Sequence, residues 1–293
     1  MKDVVRLVVY LLATLLVGVL LAPCLFWAAQ SLAAHGSLTF LGRYDFETFF
    51  HRALLLAAAI LLWPLVRSLE LRNLNDLGLS QNSRRWRDLF AGFGLSAIPL
   101  LCCGVILLAT PIFSMRQAIN WPGVMKSIAA AAFVPIIEET FFRGLVLGTL
   151  LKAGRRYLSI FLTSALYSIV HFLKAPEHTS LSVTWTSGFN SIANAFAQFA
   201  DPIMVAAGFT TLFLIGWILA DARWQTRSLW LPIGLHAGWI LTSGVFNKVA
   251  LRQLLALPWL GKNLLVGIVP LAVAGLTWLI MRGWLKYVDA RRT

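Results

Sequence analysis

Eight stretches of this chain stay apolar long enough, or nearly so, to cross a bilayer as helices: about residues 4–29, 45–66, 88–112, 126–151, 157–174, 202–220, 228–247 and 264–281. Crossing takes roughly 20 apolar residues. A backbone in lipid must satisfy its own hydrogen bonds, which an isolated segment can do only as a helix. A barrel would instead show strands of about ten residues alternating in polarity, and the chain has no such pattern. The expected fold class is therefore all-α, a polytopic membrane helical bundle with about eight transmembrane helices in a single transmembrane domain over 1–293. Only 13% of the 293 residues are charged, about half the share in a soluble domain.

The net charge of +13 would suit nucleic acid, but the basic residues are distributed otherwise. Placing the N-terminus in the cytoplasm puts Arg84, Arg85, Arg87, Arg155, Arg156 and the tail Arg291–Arg292 on the inner side. The resulting inner-to-outer bias of Lys and Arg is roughly two to one, as the positive-inside rule requires. The basic balance reads as an insertion signal with attraction for anionic lipid, with both termini cytoplasmic (the inner membrane in a bacterium) and no nucleic acid as partner. The first segment follows Lys2 and Arg6 like a signal peptide, but its apolar stretch exceeds the usual 7–15-residue core, so it is expected to stay as a helix. Cys24, Cys102 and Cys103 lie in or beside apolar runs with no ligand spacing and read as packing residues.

Residues 68–88 mix Leu69, Leu71, Leu74, Leu77 and Leu79 with charges, which suits either the membrane surface or a basic inner loop. Residues 175–201 form a long polar and aromatic segment expected as an outer, partly re-entrant loop. His35, His51 and His178 read as solvated or interfacial.

Against this background the fourth run is anomalous. Within it stand Glu138, Glu139 and Arg143, and each charge at the bilayer centre costs at least about 2.5–3.5 kcal/mol. Glu139 and Arg143 are four apart with the acid first, the favoured order for an ion pair on one helix face. Glu138 is then the surplus acid, about 100° around the helix. Two more ionisable groups lie within apolar runs: His171 on the fifth and His236 on the seventh. At 1.5 Å per residue from each helix's inner end, the acids, His171 and His236 fall about 18–20, 21 and 12 Å deep. That is one band about 10 Å tall, so three helices can bring them to a common cavity.

An acid tied to an arginine stays ionised, which leaves Glu138 as a general base for water. Two imidazoles opposite it can donate to an oxyanion or protonate a leaving amine. These parts suit hydrolysis of an acyl bond by direct water attack, since no serine or cysteine stands in an obvious motif with a base. Two histidines and a glutamate also suit zinc, but no His-Glu-x-x-His helix is present, and the hydrolytic reading requires no cofactor.

The same residues carry a resemblance. Glu138-Glu139-x-x-x-Arg143 followed by Gly144 resembles the first motif of the CPBP family of intramembrane proteases, which includes the type II CAAX prenyl endopeptidases and the bacterial Abi proteins linked to bacteriocin immunity. Tyr167-x-x-x-His171 is similar to its second motif, with tyrosine for the usual phenylalanine. Ser228-Leu229-Trp230-Leu231-Pro232 leading to His236 resembles the third, and Asp76-Leu77-Gly78-Leu79 is a weaker echo ahead of them. The protease-like core is then about 125–247.

The resemblance implies a glutamate-dependent CAAX-type endopeptidase in which Glu138 activates water with support from Glu139. His171 and His236 would stabilise the scissile carbonyl, while Arg143 would be structural and Tyr167 supporting. Its partners would be a membrane protein or peptide substrate, lipidated or not, within the lipid bilayer. One departure stands out: the third motif often reads His-x-x-x-Asn, and here Ile240 holds the Asn place, with Thr242 and Ser243 the nearest hydroxyls beyond it. Two rival readings are an ion-coupled transporter, whose broken paired halves are not apparent, and a non-catalytic immunity or scaffold protein.

Overall fold

The computed structural model describes residues 2–79, 83–172, 182–254, 258–261 and 264–290. It is overwhelmingly helical, and each expected apolar segment falls on a helix. Among the described residues five helices are long and apolar enough to cross a membrane: Lys2–Ala34, Phe46–Ser68, Arg85–Leu108, Val205–Thr226 and Ile268–Val288. The protein is an integral membrane protein. The sequence count of about eight spans is thus met by five on length and apolarity. The charges at 138, 139 and 143 dilute the fourth run, and the helix over Arg156–Phe172 is only 17 residues long.

The described residues divide into two compact units. In the first, α1 (Lys2–Ala34) pairs with α2 (Phe46–Ser68) around Val19, Ala22, Phe46, Phe50 and Ala53. Gly18 sits directly against Leu54, so the two backbones approach closely, as small residues permit between membrane helices. Glu47 is buried and accepts from Ser191 Oγ at 2.8 Å. His35 Nδ1 lies 2.7 Å from Ser31 O and His51 Nδ1 2.6 Å from Glu47 O, each one turn back along its own chain. The segment expected as a long loop contains a helix, Ser187–Phe196, counted as α7 below. Its earlier part, including His178, lies outside the described residues.

The second unit holds α3 (Arg85–Leu108), α4 (Trp121–Glu139), α5 (Leu147–Leu151), α6 (Arg156–Phe172), then, after α7, α8 (Pro202–Met204), α9 (Thr210–Thr226), α10 (Trp230–Val249) and α11 (Ile268–Ala290). A short antiparallel ribbon, unexpected from the sequence, joins β1 (Phe113–Met115) to β2 (Ala250–Arg252) with Ser114 opposite Leu251. Outward faces are apolar, as on α3 (Ile98, Leu101, Val105) and α4 (Phe133, Ile137), which is what lipid contact favours. Of the cysteines, Cys103 packs on the core while Cys24 and Cys102 are exposed.

Three local features position the site. First, α3 and α10 meet through glycine. A Cβ on Gly234 would fall 2.0 Å from Leu89 O, and one on Gly238 2.1 Å from Ser96 Oγ. Gly234 and Gly238 form a Gly-x-x-x-Gly pair, the close-approach device of membrane helices, and His236 lies between them. Second, α4 does not run straight into α5, because Thr140–Val146 winds as a π-helix, a form frequent at functional sites. Third, residues 73–79 form a capped 3₁₀ turn in which Asn73 N donates to Asp76 Oδ2 at 3.0 Å. Leu229 N donates to Gly78 O at 2.9 Å, and Leu77 O faces Gly144. The Asp76-Leu77-Gly78-Leu79 echo is therefore a bracket holding the start of α10 and the π turn.

Candidate active site

Glu138 and Glu139 are the last two residues of α4. Their side chains diverge as adjacent helical positions must. Glu139 is fully buried, and its Oε1 accepts from Arg143 Nη1 at 2.9 Å and from His236 Nδ1 at 2.8 Å. Arg143, also fully buried, donates through Nη2 to Gly216 O at 3.1 Å and lies with Cζ 4.4 Å from the centre of the Tyr167 ring. The expected one-face ion pair is present, with a histidine and a backbone carbonyl added to it.

Glu138 faces the other way and is 25% exposed. Its Oε2 lies 3.1 Å from His171 Nε2 and 3.8 Å from His236 Nε2. The three helices expected to converge do so: α4, α6 with His171, and α10 with His236. Tyr167 forms the floor, with its ring centroid 4.1 Å from that of His171, 6.2 Å from that of His236 and 5.2 Å from that of Phe142. Tyr167 is buried and none of these contacts uses its hydroxyl.

The hydrogen bonds fix the histidine tautomers. His171 Nδ1 lies 2.8 Å from Tyr167 O, a carbonyl that can only accept, so Nδ1 carries the hydrogen. His236 Nδ1 faces Glu139 Oε1, the same oxygen that accepts from Arg143 Nη1, so it too donates. Both Nε2 atoms are therefore the lone-pair positions of the neutral rings, and both point at one oxygen of Glu138. At 3.1 Å a carboxylate and a bare Nε2 would oppose lone pairs, so the Glu138–His171 pair shares a proton.

Ile240 lies one helical turn beyond His236 and lines a cavity of about 340 Å³ between α4 and α10. Ser243, a hydroxyl noted in the sequence near this position, lines the same cavity rather than touching Glu138. Among the described residues no group of three His, Cys, Asp or Glu side chains is arranged to hold a metal ion. Sequence reading missed another buried acid, Asp221. It accepts from Trp278 Nε1 at 3.0 Å and Arg282 Nε at 3.3 Å, with Arg156 Nη2 at 3.5 Å. That cluster ties α6, α9 and α11 together. The signal was present, since Asp221 stands one residue past the end assigned to an apolar run.

Residues 120–242 match the family model of the type II CAAX prenyl endopeptidases, Rce1-like. These residues form an Rce1-like domain. It contains all three motifs, from Glu138 through His171 to His236. No curated protein and no solved structure matches the chain.

Proposed function

We propose that this Rce1-like protein is a glutamate-dependent intramembrane endopeptidase acting on membrane-associated peptides, lipidated or not. The observation that carries the reading is the unequal treatment of two adjacent acids. Glu139 is consumed by Arg143 and His236, while Glu138, partly open, faces two imidazole Nε2 atoms.

In the step proposed, Glu138 takes a proton from water as the water oxygen bonds to the scissile carbonyl carbon. The carbonyl oxygen gains the negative charge and accepts a hydrogen bond from His171 Nε2, which carries the proton of the Glu138–His171 pair. Glu138 then returns the proton to the departing amine as the C–N bond breaks. Glu139 and Arg143 orient His236, and Tyr167 holds the ring of His171. Donors aimed at a developing oxyanion are worth about 2.7–4 kcal/mol each in a dry site, and a positioned base about 10²–10⁴-fold.

The protease core is taken as about 125–247 within one transmembrane domain, with both termini cytoplasmic. The step uses no metal, so chelation with 1,10-phenanthroline is expected to leave the rate unchanged. The deciding experiment is cleavage of an endogenous membrane peptide, followed by mass in membranes with and without the protein. Glu138→Gln, inserted and folded as the parent, is expected to lower cleavage at least about 100-fold; full retained cleavage would overturn the assignment.

A further inference from the structure

The cavity beside Ile240 follows the groove between α4 and α10. Its α4 wall is Gly123, Lys126, Ser127 and Ala130, and its α10 wall is Ile240, Ser243, Gly244 and Lys248. These positions recur at three or four residues on each helix and so form two facing stripes. Both helices approach closely through glycine here. A Cβ on Gly244 would fall 2.8 Å from Ser127 Oγ, and one on Gly123 would meet the Lys248 stem at 2.9 Å.

The chemistry of the lining is lopsided. Two ammonium groups serve one small cavity, and among the described residues neither has an acidic partner. Ser243 is 94% buried by its 6% exposure, yet its hydroxyl makes no hydrogen bond among the described residues although it lines the space. The N-terminus of α4 supplies no spare donor. Gly123 N donates to Asn120 Oδ1, Val124 N to Asn120 O and Trp121 N to Ile119 O, and Pro122 has none. An anion here must therefore be met by the lysines and Ser243. The rest of the wall is alanine, isoleucine, glycine and Ser127, whose hydroxyl hydrogen is already given to Gly123 O at 3.0 Å, so the wall holds little for a hydrated ion but accepts a hydrocarbon chain.

We propose that this cleft binds an anionic phospholipid, its phosphate held by Lys126 and Lys248 and one acyl chain lying over Ala130 and Ile240. Basic pockets between membrane helices recognise anionic headgroups in this way. The inference does not rest on the protease reading, because binding is read without activity.

The test is native mass spectrometry of the full chain in neutral detergent, with dioleoyl phosphatidylglycerol or dioleoyl phosphatidylcholine at equal concentration. The parent is expected to retain the glycerol lipid at least about tenfold over the choline lipid, a difference of about 1.4 kcal/mol. Lys126→Gln/Lys248→Gln is expected to bring the two to parity, Lys248→Arg to preserve the preference, and Ser243→Ala to weaken it a fewfold. Melting temperatures in lipid-free detergent verify that each variant is folded. Equal retention of both lipids by the parent, or an undiminished preference in the double Gln variant, would overturn the proposal. Displacement of the lipid by an equal concentration of glycerol 3-phosphate would overturn its lipid component, leaving a plain phosphate site.

Discussion

The groove between α4 and α10 is built on opposite principles at its two ends. At the Glu138 end, two acids, an arginine and two histidines are packed together, and each has a partner of complementary charge or hydrogen bonding. At the Lys126 end, two cations flank an apolar cavity and meet no acid among the described residues. Buried charge is tolerable only when paired, since an isolated ion costs several kcal/mol to desolvate. The first end pairs its buried charges within the protein, whereas at the second Lys126 is exposed and Lys248 half-buried, so both stay open to an anion from outside. The lesson is that a charge's surroundings, rather than its presence in the membrane, separate machinery from binding surface.

The strongest way to break this contrast is Arg143→Met. It leaves the Glu139 carboxylate buried without its cation and is expected to cost about 3–5 kcal/mol, read as a fall in thermal unfolding temperature in detergent. The next largest effect is expected at His236. His236→Ala removes a hydrogen bond to a charged group, about 1.5–3 kcal/mol. His236→Asn keeps a donor toward Glu139 but loses Nε2, so it should lose cleavage while retaining most of that stability. Asp221→Asn probes a third setting, a buried acid shared by two arginines and a tryptophan. A loss of about 1–3 kcal/mol is expected, with cleavage of folded protein unchanged. The smallest effect sharpens the comparison from the other side: Lys126→Gln should change stability in lipid-free detergent by no more than about 0.5 kcal/mol.

Much of the site was legible because lipid makes charge conspicuous. Glu138, Glu139, Arg143, His171 and His236 stood out in apolar runs, and simple helix geometry gave both the Glu139–Arg143 pair and a common depth. What it could not give was the join between helices. That His236 Nδ1 takes Glu139 while Nε2 takes Glu138 depends on how α10 is rotated, which the Gly234–Gly238 contact with α3 sets. That pair is a readable motif and would have flagged the interface. The winding of Thr140–Val146 left no mark in periodicity, because the apolar residues on either side of Arg143 show no polar face against which one extra residue would register. The fold class was clear from the length of the runs. The number of spans was less so, since the helices that carry the candidate site are those whose polar residues and shortness weaken the signal.

That π-helical turn decouples the two halves of its helix. Upstream, Glu138 and Glu139 are presented to α6 and α10; downstream, Leu147 packs with Ile160 and Ala220 on α6 and α9. An uninterrupted α-helix would advance by about 100° per residue through this point, so one phase would have to serve both sets of neighbours. Excising Thr140 would force a choice: keep the carboxylates aimed and twist Leu147 out of its niche, or seat the leucine and swing the acids off target. The extra residue acts as a rotary offset, letting this half of the molecule be assembled for cohesion at one end and for chemistry at the other.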